Sequence, residues 1–171
     1  MNPQPAKAYS LIRLHKDGHP VRLVVSYTNA LSTKLSKKLI PIVKTLSNFQ
    51  PVHSTKNTLQ FVNNIKDMDI QDRAMVVSIG VKNLFPSVPV KEVVEITNNL
   101  LTQNNCNNLI KNDVLNLLST CLTKNYFEFN NKIYDGGDSL AMGKPLSPSA
   151  AEIFMDNLES KIRQHPFFQT I

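Results

Sequence analysis

The stretch Val76–Val90, VVSIGVKNLFPSVPV, is the part of the chain from which the fold is predicted. Its first six residues include four that are β-branched, which is typical of a buried strand. Two prolines near its end cannot donate to a sheet ladder, so we expect the chain to leave the sheet there. Gly80 interrupts the run, as glycines do at a bulge or a close backbone approach. The stretch therefore predicts a buried strand that runs into a loop, at an edge where proteins of mixed class commonly place their chemistry.

The composition favours one soluble, basic domain. The chain has 171 residues, of which 42% are hydrophobic, and this is enough for a core. Its formal net charge of +6 favours a polyanionic partner such as nucleic acid, although a merely solvated basic surface fits the charge equally well. Cys106 and Cys121 form no CxxC motif and are expected to be reduced thiols. No apolar run is long enough to span a membrane, and the first ten residues do not resemble a signal peptide.

Two hairpins are predicted from apolar runs that flank turn residues. The first pairs Tyr9–Leu14 with Val21–Tyr27 across an Asp-Gly turn. Arg13 lies near the end of its first strand, and Arg22 lies near the start of its second strand. The second hairpin is Tyr126–Tyr134, which carries an Asn-Asn turn. These runs predict a small sheet with basic residues at one end.

Helical spacing of apolar residues predicts the helices Leu31–Leu46, Ser54–Lys66, Lys91–Leu101 and Asp113–Thr123, and a last helix that starts at Leu146-Ser147-Pro148. We expect Pro41 to kink the first helix or to split it in two. We expect Ser147 to cap the last helix, with Pro148 at its first position. The Asn-rich tract Asn98–Asn108 is predicted to be a loop. The apolar residues of the second helix are expected to face inward, namely Leu59, Val62 and Ile65. The predicted class is α+β with a small central sheet.

The stretch Ala141–Pro148, AMGKPLSP, places a glycine, a lysine and two prolines just before the last helix. Such a backbone suits the close approach of another group, and a nucleic acid or a nucleotide is one candidate. A rigid connection into the helix is the other interpretation, and these residues alone favour neither.

Four blocks of sequence follow one family pattern in order, and together they span most of the chain. They are Leu11–Val24, Val77–Pro89, Tyr126–Tyr134 and Ala141–Glu159. The first is similar to L-P-K-I-H-K-x-G-x-P-L-R-P-I and the second to S-F-D-V-x-x-L-F-x-x-V-P. The third is similar to F-x-F-N-x-x-x-Y and the fourth to A-M-G-S-P-L-S-P-x-x-A-x-I-F-M-x-x-x-E. On these motifs the chain resembles the reverse transcriptase domain of Penelope-like retroelements, which are relatives of telomerase-type polymerases.

The resemblance implies part of a right-hand polymerase fold. Residues 1–75 would be fingers-like and residues 76–171 palm-like, with a small antiparallel sheet, packed helices and no thumb. Residues 1–171 would then form a partial domain that ends before the family's Tyr-x-Asp-Asp motif. The family's need to meet DNA implies an intracellular protein, either nuclear or cytoplasmic.

The resemblance also implies which residues contact nucleotides and nucleic acid. Arg13 and Arg22 stand at fingers cations that contact the incoming triphosphate and the template, and Arg suits phosphate because of its fork of donors. Phe85 stands where an aromatic ring packs under the sugar and excludes a 2′-hydroxyl. The remaining expected nucleotide contacts are Met142 and Gly143, and the expected nucleic-acid contacts are Lys16, Lys144, Pro145 and Ser147. The implied partners are a template-primer of RNA or DNA and deoxynucleotides, and no membrane is implied.

The metal ligands of the family are missing from the expected positions. Gly80 occupies the place of the Asp in S-F-D-V, and the chain ends at Ile171 before the later carboxylates. Other carboxylates are not on this strand and are not expected to substitute, namely Glu92, Asp135 and Asp138. Mg²⁺ is the cofactor that the resemblance implies, but we expect no productive binding, no catalytic residue and an inactive reverse transcriptase fragment. A non-catalytic nucleic-acid-binding module and a non-functional retroelement relic remain the alternatives.

Overall fold

The computed structural model describes residues 4–52, 54–68 and 77–165, in which a four-stranded sheet packs with six helices. The strands are β1 (Ala6–Ile12), β2 (Val21–Ser26), β3 (Tyr126–Phe129) and β4 (Lys132–Asp135). The helices are α1 (Leu31–Ser47), α2 (Thr58–Ile65), α3 (Leu84–Ser87), α4 (Val90–Gln103), α5 (Asn108–Thr123) and α6 (Ser147–Gln164). The predicted α+β class with a small sheet is therefore confirmed.

The sheet is mixed, with strand order β2-β1-β3-β4. Both hairpins are antiparallel as predicted, but β1 and β3 run parallel where they join, with Ala6 beside Phe127. The prediction of a purely antiparallel sheet is thus wrong. Turn chemistry fixes each hairpin locally, whereas the direction in which two distant hairpins meet depends on tertiary packing. In the second turn, Asn130 and Asn131 have φ angles of 48° and 57°, as a two-residue type I′ turn requires.

The main core lies among helices α1, α4, α5 and α6. Its fully buried members include Leu39, Val93, Leu101, Leu118 and Leu122. Each lies at a position where helical spacing predicts an inward side chain. A second, smaller cluster lies under the sheet and consists of Ala6, Val25 and Tyr27, with Phe127 and Ala141 packed against it. This second cluster joins the sheet to the segment that precedes α6.

Two helix predictions are corrected by packing. Helix α1 runs through Pro41 without a break, so the split is wrong. Its neighbours Leu39 and Val43 are buried on either side, and their burial offsets the hydrogen bond that the proline removes. Helix α4 continues to Gln103 and α5 begins at Asn108, so the predicted loop over Asn98–Asn108 is mostly helical. Buried Leu101 holds the last turn of α4 against the core, which overrides the preference of Asn for turns.

Helix α2 begins later than predicted and is not packed as predicted. It starts at Thr58, and the side chain of Asn57 accepts a hydrogen bond from the Gln60 amide at 2.9 Å. Leu59 and Val62 are 75% and 49% exposed, so the expectation that they face inward is wrong, while Ile65 is half-buried. A periodic apolar stripe identifies a helix but does not identify what covers it.

The cap of the last helix also differs from the prediction. Ser147 is the first residue of α6 and follows Leu146 at the cap position, where no side chain caps the helix. The Ser147 hydroxyl instead donates to the Ala141 carbonyl at 2.7 Å. Pro148 therefore takes the second helical position, which also tolerates a missing N–H. The Ser147 side chain therefore holds the start of α6 against the beginning of the preceding turn and does not cap the helix.

The predicted strand at the start of the central stretch is wrong for its described residues. Val76 lies outside them, and residues 77–81 form no strand. Ile79 is 89% exposed, and Val77 and Val81 are also exposed. β-Branched residues form a buried strand only where a neighbouring strand and a core cover them, and no described strand pairs with this segment. The chain then turns into α3.

Candidate nucleic-acid interface

A basic cavity of about 350 Å³ lies between the turn of the first hairpin and the start of α3. Four cations line it: Arg13, Lys16, Arg22 and Lys82. Phe85 and Met142 contribute apolar surface to the same cavity. None of the described residues that line it is a carboxylate. A concave surface with cations and no acids concentrates a positive field and favours an anionic ligand.

Backbone hydrogen bonds bring these residues together from three parts of the chain. The Arg13 amide donates to the Pro20 carbonyl at 3.1 Å and closes the hairpin turn. The Leu140 amide donates to the Phe85 carbonyl at 3.2 Å. The Val25 amide donates to the Met142 carbonyl at 3.2 Å, which ties the segment before α6 to β2. The cavity walls are therefore held by main-chain contacts.

Arg13 has an unused donor at this site. Its Nε atom is buried and has no hydrogen-bond partner among the described residues. A buried donor without a partner costs about 1–3 kcal/mol, and an incoming acceptor would relieve that cost. Phosphate oxygens fit a guanidinium through paired hydrogen bonds. Arg13 is thus prepared to accept an anion.

A second cavity of about 360 Å³ adjoins the first and shares Arg13, Arg22 and Met142 with it. It extends under the sheet, where Phe127 and Leu23 form apolar lining. The two cavities therefore share a cationic rim and continue towards the second hairpin.

Five of the predicted contact residues line the basic cavity: Arg13, Lys16, Arg22, Phe85 and Met142. Lys82 lines it too and was missed by the sequence analysis, although it stands two residues after Gly80 in the central stretch. Gly143, Lys144, Pro145 and Ser147 do not line it. Pro145 borders a separate shallow cavity together with Gly143 and Lys37. The roles assigned to all these residues stay predictions.

Gly143 makes its close approach to this chain's own backbone. Its φ angle is +97°, and a Cβ atom there would overlap the carbonyl oxygen of Val25 in β2. Only glycine tolerates both the dihedral angle and the contact. The structure therefore supports the interpretation of this loop as a rigid connection, with β2 as the approaching group.

Lys144 is buried, with only 2% of its surface exposed. Its Nζ atom donates to the Asn125 Oδ1 at 2.8 Å and to the Lys124 carbonyl at 3.2 Å. It also lies 5.3 Å from the centre of the Tyr27 ring. Asn125 in turn donates to the Ser139 carbonyl at 2.9 Å. This geometry supports a structural role, and contact with nucleic acid would require the ammonium to leave all these partners.

Burial shifts the pKa values of Lys144 and of two neighbouring groups, Tyr27 and Cys121. Desolvation lowers the pKa of Lys144 from 10.5 to about 8, opposed in part by the charge of Cys121. Desolvation raises the pKa of Tyr27 to about 12. It also raises the pKa of Cys121 above its ordinary value, while Ser36 and Lys144 act in the opposite direction.

The replacement Lys144→Met is expected to change how stability depends on pH. Because the folded pKa of Lys144 lies below its unfolded value, the unfolded state holds the extra proton between about pH 8 and pH 10.5. The stability of the wild type should therefore rise with pH from about 8 to 10, relative to the variant, by up to about 1.4 kcal/mol per pH unit. Urea unfolding at several pH values measures this difference.

Two other groups near Lys144 also contribute to the pH dependence of stability. Tyr27 and Cys121 have raised pKa values, so both lower stability as pH rises above the pKa values of the unfolded chain. Because the charge of Lys144 also lowers the pKa of Cys121, both proteins carry the replacement Cys121→Ala, which removes this coupling from the comparison. Equal pH slopes in the two proteins would mean that Lys144 is not desolvated.

The described residues do not fit a Mg²⁺ site of the family's kind. Gly80 has no side-chain ligand atom, and it is exposed, with nothing within 4 Å of an added Cβ. Over residues 4–52, 54–68 and 77–165, no group of three His, Cys, Asp or Glu side chains is arranged to hold a metal ion. Mg²⁺ prefers several hard oxygen ligands in octahedral geometry. We therefore assign no step to a metal in this chain.

In the part of the chain that the structure describes, no helix is both long and apolar enough to cross a membrane.

The sequence was compared with curated proteins and with protein-family profiles. No curated protein matches the chain. The sequence profile of the reverse transcriptase (RNA-dependent DNA polymerase) family matches residues 14–170 of the 171. The match begins one residue after Arg13 and includes Lys16 and Arg22, the central stretch, the second hairpin and the loop before α6. The chain therefore belongs to the reverse transcriptase (RNA-dependent DNA polymerase) family.

Proposed function

We propose that the chain is the fingers and front palm of a Penelope-like reverse transcriptase domain, derived from a retroelement, that binds nucleic acid and deoxynucleotides without polymerising them. In this proposal residues 1–75 serve as fingers and residues 76–171 as palm. The family match supports a reverse transcriptase-like domain. The Penelope-like assignment rests on the four sequence blocks.

The basic cavity is the observation that carries the proposal. It combines two arginines that suit phosphate with the half-buried ring of Phe85, which suits a sugar or a base. The buried, unpaired Nε of Arg13 supplies a donor that needs an acceptor. A triphosphate with its nucleoside satisfies both the charged and the apolar parts of this surface.

The proposed lack of polymerisation rests on Gly80. The family pattern has an Asp at this position, and the described part of the chain offers no replacement set of donors. Loss of a ligand that stabilises transition-state charge costs several kcal/mol, which corresponds to roughly a thousandfold or more in rate. Binding of nucleic acid depends on other residues and is expected to remain.

Primer extension tests the inactive part of the proposal. We expect no extension of a DNA primer on an RNA template by the wild type when Mg²⁺ and all four deoxynucleotides are present. The variant Gly80→Asp should fold, since the space around Gly80 is open, and should gain at most weak Mg²⁺ affinity. Ser78→Asp adds the same charge to the same exposed segment and serves as the control.

Two outcomes of the primer-extension assay would contradict the proposed lack of polymerisation. Synthesis by the wild type would show that the chain is an active polymerase. Synthesis by Gly80→Asp alone would show that the other carboxylates are supplied from elsewhere in the chain.

The same cavity also favours a second candidate, a nucleic-acid-binding module whose role does not involve deoxynucleotides. Titration with single-stranded RNA and separately with a deoxynucleotide distinguishes the two. Binding of RNA without binding of the nucleotide favours the module. Binding of neither favours a non-functional relic and contradicts the proposal.

A further inference from the structure

The second hairpin presents an aromatic face. Cross-strand pairing places Phe127 beside Tyr134 and Phe129 beside Lys132. Because paired residues share a face and alternate residues return to it, these four side chains lie on one side of β3 and β4. Tyr126 lies on the opposite side.

The aromatic rings on this face contact one another but remain partly exposed to solvent. Phe127 and Tyr134 are stacked, with ring centres 5.7 Å apart and planes 18° apart. Phe129 meets Tyr134 edge-on at 6.5 Å. Phe129 and Tyr134 each remain 42% exposed. Large apolar rings that are held in place yet open to solvent are typical of a surface on which planar groups stack.

Charge is separated between the two faces of this hairpin. The paired residues of the opposite face include both acids of the hairpin, Glu128 and Asp135. The aromatic face carries Lys132 and no acid among its β3 and β4 residues. A surface with rings and a cation but no carboxylate favours an anionic partner that has flat apolar groups.

The aromatic face is continuous with the cationic rim. Phe127 lines the second cavity together with Arg13 and Arg22, and it stacks on Tyr134. A strand whose phosphates lie at the arginines can therefore extend its neighbouring bases over the second hairpin. A charged backbone next to exposed bases occurs in unpaired nucleic acid, whereas a duplex hides its base faces.

We infer that the aromatic face of β3–β4 binds an unpaired stretch of nucleic acid by stacking its bases on Phe129 and Tyr134, with Lys132 close to the backbone. This inference rests on the proposed function, because Arg13 and Arg22 supply the phosphate contacts of the same strand. Stacking of this kind tolerates any base sequence, since every base has a flat face.

The test compares one hairpin tyrosine with another. Binding of a fluorescein-labelled single-stranded RNA of about twelve nucleotides is measured by anisotropy. Tyr134→Leu and Phe129→Leu are each expected to weaken binding about tenfold. Tyr126→Leu removes a similarly exposed ring, 48% exposed, from the opposite face and should bind like the wild type. Tyr134→Phe keeps the ring and should also bind like the wild type.

An abasic oligonucleotide of equal length separates stacking from charge. Its affinity should be lower than that of the RNA and should not change with Tyr134→Leu, because no base is present to stack. Equal losses in Tyr126→Leu and Tyr134→Leu, or an unchanged affinity in Tyr134→Leu, would overturn the inference and point to another occupant, such as a protein. If the wild type binds no RNA at all, the proposed function itself fails. If Tyr134→Leu unfolds, Phe129→Leu keeps the inference falsifiable, because it removes a stacking ring and leaves the Phe127–Tyr134 pair in place.

Discussion

Replacing Gly143 by alanine is expected to lower the free energy of unfolding by about 3 kcal/mol or more. The added Cβ would overlap the carbonyl oxygen of Val25, and the φ angle of +97° disfavours any side chain. The position of the Cβ is fixed by the backbone of residue 143, and the oxygen belongs to the backbone of β2, so relief of the overlap requires β2 and the loop to separate. Separation would break the hydrogen bond from the Val25 amide to the Met142 carbonyl. Urea unfolding followed by circular dichroism measures the loss.

Gly137→Ala is the matched control for this variant. Gly137 also has a positive φ angle, +74°, but an added Cβ there would meet nothing within 4 Å. Its replacement should cost only the conformational penalty, about 1–2 kcal/mol. If the two variants lose the same stability, the close approach to Val25 is not what requires glycine at position 143.

Replacing both Arg13 and Arg22 by glutamine is expected to weaken binding of a deoxynucleotide triphosphate about a hundredfold. Each arginine lines the basic cavity, and a hydrogen bond to a charged group contributes about 1.5–3 kcal/mol. Arg22 is exposed, so its share should be at the low end of this range. Fluorescence titration with a labelled deoxynucleotide measures the affinity.

The control removes the same charge elsewhere. Lys38 in α1 and Lys91 in α4 are exposed and do not line the basic cavity. Their double replacement by glutamine should change affinity by less than about threefold, through the loss of net charge alone. Equal losses in both double variants would mean that the nucleotide responds to overall charge and that the cavity is not its site.

Local chemistry made much of the fold predictable. The Asn-Asn turn places two residues at positive φ angles that asparagine tolerates, and the second hairpin follows from it. Apolar spacing gave α4 and α5 their buried faces, for example at Val93 and Leu118. The resemblance to the family named Arg13, Arg22 and Met142, and all three line one cavity although Met142 is distant in sequence from the two arginines. The predicted first hairpin already brings Arg13 and Arg22 together, whereas no local pattern links Met142 to them.

The errors fall where tertiary contacts decide. The run at 77–81 has strand propensity, but it is exposed because no described strand pairs with it. Gly143 signalled a close approach, and only the fold shows that Val25 is the approaching residue. Lys144 is charged and stands in a loop, so sequence favours an exposed side chain. The polar groups of Asn125 and Lys124 satisfy it in the interior instead.

The salt dependence of binding tests the central claim, which is that the cations of the basic cavity bind phosphates. The affinity of wild type and of the Arg13→Gln/Arg22→Gln variant for single-stranded RNA is measured between about 50 and 200 mM salt. In the wild type, the logarithm of the affinity should fall linearly with the logarithm of the salt concentration, by about 0.7 for each phosphate contacted. The slope of the variant should be shallower by about 1.4, because two contacts are lost. An affinity that does not change with salt, or the same slope in both proteins, would contradict the account.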